Sequence, residues 1–264
     1  MENIINLEDD LLKTPSKGRN MIAVASGRGG VGKTWFSVSL SHALSLFRQK
    51  TLLFDADMGM ENVSTQLGLD MTYDLGHAIK GEKSLNQIIY NYDKCKFDIL
   101  AARSGTAGLA SLPVGRLHLL GEDLCFVAAD YDKIILDMGV GISKSVKVLS
   151  GIADNVLVLC TDDPSSLTEA YAYIKVMTSQ YPKCSIQMVI NQANTLREGM
   201  RTYDLLIKAC NNFLQIKPKL LGIVRRDTRV RDAIRNQSSV ISRYPTSEAA
   251  EDVLKIAKRL VYNE

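Results

Sequence analysis

No apolar run in this 264-residue chain approaches the roughly 18 residues that a membrane-crossing helix needs. Cysteine is sparse and scattered. The five (Cys95, Cys125, Cys160, Cys184 and Cys210) are odd in number, and no pair has metal-binding or redox spacing. That excludes a disulfide scaffold and reads as reduced, mostly buried thiols of a cytosolic protein. Neither sign of charge dominates. Lys and Arg total 32 against 29 Asp and Glu, a net charge of +3, which excludes a general polyanion-binding surface but not a local patch. The opening residues, Met1 to Lys13, are too acidic and too polar for a signal peptide. Internal repeats and low-complexity segments are absent. Hydrophobic residues make up 46% of the chain, enough for a substantial core.

What is present starts at Gly27. Residues Gly27-Arg28-Gly29-Gly30-Val31-Gly32-Lys33-Thr34 match G-x-x-x-x-G-K-[ST], the phosphate-binding loop. An apolar run, Met21–Ala25, precedes them, and a helix-like stretch from Trp35 to Phe47 follows. Glycines let such a loop turn tightly and aim N–H groups at phosphate oxygens, and the helix N-terminus adds partial positive charge. Lys33 is placed to reach the terminal phosphates and Thr34 to put a hydroxyl on Mg²⁺.

Short apolar runs then alternate with helical patterns. Strands are expected at Met21–Ser26, Thr51–Asp55, Asp98–Ala102, Lys133–Asp137, Asn155–Cys160, Ile186–Asn191 and Leu220–Val224. Helices are expected at Lys33–Phe47, Lys144–Ser150, Ser165–Ser179, Arg197–Asn212 and Ser247–Tyr262. Continuous apolar strands interleaved with helices predict a doubly wound, mostly parallel α/β sheet covered on both faces. The reading is one domain over residues 21–264, behind a polar N-terminal segment, 1–20. In that segment Ile4 to Leu12 has the spacing of a short amphipathic helix, followed by linker-like Thr14–Asn20. The apolar stripe of the last helix is read as core-packing, with a membrane surface as the alternative.

In a phosphate-loop fold, ligands sit beyond the carboxyl ends of the strands. Asp55 and Asp57 close one expected strand there, and Asp137 closes another. An Asp after four apolar residues is the pattern that holds Mg²⁺, usually through water. On an extended chain Asp55 and Asp57 share one side, so that one serves the metal and the other orients the attacking water. The alternative is a turn or helix cap near Gly59. Gly139 and Gly141 after Asp137 suggest a switch loop.

Through Gly27–Thr34 the chain resembles the MinD/ParA ATPases, whose deviant loop reads Lys-Gly-Gly-x-Gly-Lys-Thr. Asp55-Ala56-Asp57-Met58-Gly59-Met60-Glu61-Asn62 is similar to their Asp-x-Asp-x-Gly-x-x-Asn segment. Ala102–Thr106, Asp163–Lys175 and Leu221–Arg235 resemble the branch that sets flagellar number (FlhG, also called FleN or YlxH). The resemblance spans Met21 to Leu260 and implies a P-loop ATPase that uses ATP and Mg²⁺. It implies a homodimer when ATP is bound, separation after hydrolysis, and a protein partner in flagellar or polar-localisation machinery. Catalysis would fall to Asp57, Lys33 and Arg28. Nucleotide contacts would come from Gly27, Gly29, Gly30, Val31, Gly32, Lys33, Thr34 and Trp35, and base contacts from Asn191, Arg225 and Asp227. The metal shell would be Thr34, Asp55 and Asp137. Asn191 alternatively ends its strand as a plain turn residue.

Three positions depart from that family pattern. Arg28 stands where the lysine that reaches the partner's phosphates is expected; it either acts across a dimer as an arginine finger or packs over its own loop. Met138 stands where relatives carry Thr or Ser, and Arg225 where they carry Pro. Only Asn263 and Glu264 follow the last helix, which leaves no room for a terminal membrane-targeting segment. Two further function classes stay open: a nucleotide-binding scaffold with negligible turnover, motivated by Arg28 and Met138, and a DNA- or cargo-positioning ATPase. The second is motivated by Arg225, Arg226, Arg229, Arg231 and Arg235. An iron–sulfur carrier is disfavoured, since Cys125 and Cys160 do not sit beside glycine-rich switch segments.

Overall fold

The computed structural model describes residues 20–57, 63–102 and 109–262. The expectations for Met58–Asn62, for Arg103–Thr106 and for the N-terminal segment before Asn20 concern residues outside those described. Eight strands form one sheet: β1 (Met21–Ser26), β2 (Thr51–Asp55), β3 (Tyr90–Tyr92), β4 (Phe97–Leu100), β5 (Lys133–Val140), β6 (Asn155–Cys160), β7 (Ser185–Ala193) and β8 (Lys219–Arg225). Their order is β3-β4-β2-β5-β1-β6-β7-β8. All pairings are parallel except β3 with β4. The doubly wound expectation holds, with one strand added: β3 is three residues long, too short to show a period.

Alternate residues of β1 enter two different cores, as a pleated strand covered on both faces requires. Met21, Ala23 and Ala25 pack with α4 (Val114–Val127), α5 (Lys144–Ile152), α6 (Pro164–Gln180) and α7 (Leu196–Leu214). Ile22 and Val24 pack with α1 (Lys33–Leu46), α8 (Thr228–Arg235) and α10 (Glu248–Tyr262). Short helices α2 (Val63–Leu67), α3 (Leu75–Ile79) and α9 (Val240–Arg243) complete the described set.

The stripe on α10 is core, as expected. Ala249, Ala250, Val253, Ile256, Ala257 and Leu260 are buried, against α1 and β8. Gly222 in β8 makes room for it: a Cβ there would sit 2.4 Å from Ile256 Cγ1. No described helix is long and apolar enough to cross a membrane.

One boundary is a correction with consequences for the site. β5 does not stop at Asp137. It continues to Val140, which pairs with Ser26 of β1 across an irregularity in register. Gly139 is therefore strand, and a Cβ added to it would lie 3.8 Å from Asp57 Oδ1. The turn begins at Gly141, with φ +80°, whose N–H donates to the Ser26 carbonyl at 3.0 Å.

Candidate nucleotide-binding site

β1 and its neighbours β5 and β6 end together at the centre of the sheet, where a doubly wound fold opens its crevice. The loop Gly27–Gly32 leaves β1 there and enters α1 at Lys33. Two residues need glycine's freedom: Gly30 has φ +77° and Gly32, the N-cap of α1, has φ +91°. Gly27 is needed for a different reason. A Cβ on it would lie 2.4 Å from the Glu169 backbone carbonyl in α6, so the loop's root is pressed against that helix.

Three loop carbonyls are held by side chains. The Arg28 carbonyl accepts from Ser26 Oγ at 2.7 Å, the Gly30 carbonyl from Gln192 Nε2 at 3.2 Å, and the Val31 carbonyl from Asn191 Nδ2 at 2.7 Å. In a trans peptide the next N–H points opposite to the carbonyl. The N–H groups of Gly29, Val31 and Gly32 are thereby aimed the other way, a concavity suited to an anion. A cleft of about 1160 Å³ opens there, lined among others by Gly29, Gly30, Gly32, Lys33, Thr34 and Trp35.

Three charged groups converge under the loop. Lys33 is buried, and desolvation lowers its pKa against the pull of Asp137 and Asp57. Asp137 is fully buried, and burial raises its pKa to about 6, opposed by Lys33 and by the hydroxyls of Thr34 and Ser37. Ser37 Oγ donates to Asp137 Oδ1 at 2.9 Å, while Oδ2 is buried without a protein partner. An orphaned carboxylate oxygen beside a threonine hydroxyl and a buried lysine is the donor set that a magnesium ion and its waters fit. Asp57 is half-buried and lines the cleft.

Asp55, expected in the metal shell, accepts two backbone hydrogen bonds beside it. Its Oδ1 accepts from the Asp57 N–H at 3.1 Å and its Oδ2 from the Val63 N–H at 3.0 Å. Burial and the adjacent Asp137 push its pKa well up. Asp55 and Asp137 are register partners on β2 and β5, so only one of them is suited to carry the negative charge. Asp55 thereby ties the backbone of Asp57 to that of Val63.

The base-side calls divide. Asn191 is fully buried and lines the cleft, with Oδ1 lacking a partner. Asp227 also lines the cleft, but it caps α8 through the Arg229 N–H at 2.9 Å. Arg225 reaches the cleft wall yet its guanidinium is directed at Asp252: Nε to Oδ2 at 2.7 Å and Nη2 to Oδ1 at 2.9 Å, with Nη1 on Glu248. Its first role is to clamp β8 to α10. Arg28 Nη1 likewise donates to Asp163 Oδ1 at 2.8 Å, across its own loop to the N-cap of α6. Met138 is buried in the core below the sheet.

Sequence reasoning missed Ser37, Gln192 and the far wall of the cleft, Thr65, Gln66, Thr228 and Gln237. Ser37 had a signal: it lies four residues beyond Lys33 on α1, hence on the same face. Gln192 had none, because its contact depends on a positive φ of 58°.

A family model, "CobQ/CobB/MinD/ParA nucleotide binding domain", matches residues 22–240. The chain is 30% identical over 240 residues to the antiactivator FleN of Pseudomonas aeruginosa, covering 91% of this chain and 85% of FleN. It is 28% identical to the flagellum site-determining protein YlxH of Helicobacter pylori, covering 99% and 88%. Among solved structures, the septum site-determining protein MinD of Pyrococcus horikoshii, complexed with Mg-ADP, superposes with a TM-score of 0.77. The identity there is 21%, covering 91% of this chain and 95% of that one. The chain belongs to the CobQ/CobB/MinD/ParA nucleotide-binding family.

Proposed function

We propose that this chain is an ATP-dependent switch that binds ATP with Mg²⁺ at the Gly27–Thr34 loop. It pairs face to face with a second copy, separates after slow, partner-stimulated hydrolysis, and sets flagellar placement or number from the cytoplasmic side. The observation that carries the reading is the convergence of Lys33, Asp137 and Asp57 at a glycine loop that lines an open cleft. Lys33 neutralises the terminal phosphates. Thr34 and the free oxygen of Asp137 would hold Mg²⁺, whose charge would be spread over the phosphate oxygens. Asp57 orients the attacking water. Asn191 offers its free Oδ1 to an exocyclic amino group, the donor of an adenine edge. The flagellar assignment is supported by the names of the two relatives, FleN and YlxH.

The test is a pair of variants. Lys33→Ala removes nucleotide binding. Asp57→Ala keeps ATP binding, stops phosphate release and accumulates a dimer on size-exclusion with light scattering. Normal hydrolysis by Asp57→Ala removes the water-orienting role, and a monomer with both ADP and a non-hydrolysable ATP analogue removes the switch. A second reading is a nucleotide-binding scaffold with negligible turnover. It is favoured by Arg28 being engaged within its own chain and by the lack of a hydroxyl at Met138. Steady phosphate release above background, with or without a partner, excludes it.

A further inference from the structure

A groove of about 220 Å³ that shares no lining residue with the nucleotide cleft lies between α4 on one side and α3 with the 3-10 turn Leu85–Ile88 on the other. Its floor is apolar: Ile79, Leu85, Leu112, Leu120 and Val127. Two large apolar side chains on its α4 wall face solvent, Leu119 at 52% and Phe126 at 76% exposure. The charged side chains that line it are Lys83, Arg116 and a single carboxylate, Asp123. An unpartnered apolar groove with a basic excess is matched to an acidic amphipathic segment.

This chain carries one. Ile4, Leu7 and Leu11 recur at i, i+3 and i+7, with Ile5 and Leu12 beside them, and Glu2, Glu8, Asp9 and Asp10 are interleaved. The described chain begins at Asn20, which is bonded to the segment that follows α4. Asn20 Nδ2 donates to the Tyr131 carbonyl at 3.4 Å. Tyr131 follows α4 after only the turn Ala128–Asp130, so the start of the described chain lies on the side of the fold where α4 ends. Lys13 to Arg19 is seven residues, able to span about 24 Å when extended. The 14-residue α4 is about 21 Å long, so residues 4–12 can reach any part of the groove.

We infer that residues 4–12 dock in cis, as an amphipathic helix, into the groove between α4 and the α3–Leu85 wall. The apolar stripe covers Leu119 and Phe126, and the acidic residues meet Lys83 and Arg116. This inference does not depend on which nucleotide the P-loop binds.

The test is hydrogen exchange on the full chain without nucleotide, compared with Leu7→Asp/Leu11→Asp and with Phe126→Ser. Because Phe126 is mostly exposed, its replacement leaves the fold intact. Amides of residues 4–12 exchange more slowly than unstructured chain by about tenfold or more in the parent. They lose that protection in both variants and keep it on dilution. Unprotected residues 4–12 in the parent overturn the inference. So does protection indifferent to Phe126→Ser, and so does protection that falls on dilution, which assigns the groove to a second copy instead.

Discussion

Arg28 Nη1 and Asp163 Oδ1 lie 2.8 Å apart in the same chain, joining the phosphate loop to the N-cap of α6. Asp163 also accepts from the Ser165 N–H at 2.9 Å and from its hydroxyl. Those bonds, with Arg28 beside them, hold its pKa down at about 2. It therefore stays an anion across the physiological range. The two side chains are 42% and 49% exposed. An exposed ion pair is weak, because solvent screens it. The contact is a latch that Arg28 can leave, not a fixed strut.

If Arg28 acts on a partner's phosphates, that latch opposes dimerisation. Asp163→Asn keeps an N-cap acceptor, since Asn and Asp are equivalent caps, and removes the charge. The half-maximal concentration for ATP-dependent dimerisation falls, by no more than about fivefold, with thermal stability unchanged. Analytical ultracentrifugation reads both species. A midpoint that does not move places Arg28 over its own loop only.

Gly27 and Gly29 separate packing from phosphate contact within one loop. The Cβ of Gly27→Ala meets the Glu169 backbone at 2.4 Å, whereas that of Gly29→Ala meets only Val140 Cγ2, at 3.8 Å. Backbone of a helix cannot yield as a side-chain tip can, so overpacking at Gly27 costs about 1–3 kcal/mol. Urea unfolding without nucleotide shows that loss in Gly27→Ala and less than about 0.5 kcal/mol in Gly29→Ala.

The sheet was legible because its strands are buried on both faces and so are written as unbroken apolar runs. The phosphate loop was legible because its glycines and Lys33 are contiguous. Less local features were not. α4 escaped notice although Leu117, Leu120, Leu124 and Val127 mark its buried face, since Gly115, Gly121 and the charged Glu122-Asp123 pair interrupt the pattern. The separate fates of Asp55 and Asp57 were unreadable, because they depend on where the chain returns at Val63. The Arg225 clamp depends on α10 passing over β8, a pairing 27 residues away in sequence.

Arg225 and Arg226 illustrate that last point as a test. Arg225→Ala leaves Asp252, which is 2% exposed, without its guanidinium. Losing hydrogen bonds to a buried charge costs about 1.5–3 kcal/mol. Arg225→Ala therefore lowers the urea midpoint, and its nucleotide affinity changes less than about twofold. Arg226 lines the same cleft and is exposed, so Arg226→Ala leaves stability within about 0.5 kcal/mol. A large affinity loss with normal stability in Arg225→Ala would restore its base-side role.

His42 makes stability depend on pH. It is 6% exposed in α1, with Nδ1 3.0 Å from Ser239 Oγ, and burial lowers its pKa to about 4. In the unfolded chain a histidine titrates near pH 6.5. Between about pH 6.5 and 4, the unfolded state binds a proton that the folded state refuses. Stability from this group is complete above that window and is lost as pH falls through it. The loss amounts to about 2–3 kcal/mol by pH 4.5. Asp137, whose folded pKa is raised to about 6, works with the opposite sign over the same range, because the folded state takes up its proton first. The net slope of the parent therefore mixes the two, and His42→Gln, which still offers Ser239 a hydrogen-bonding group, isolates the histidine. Urea unfolding at pH 7.5 and 4.5 shows the parent losing about 2–3 kcal/mol more than His42→Gln on acidification. Parallel losses in the two proteins would mean that His42 takes up its proton in the folded state, with the helix end at Ser239 opening to admit water.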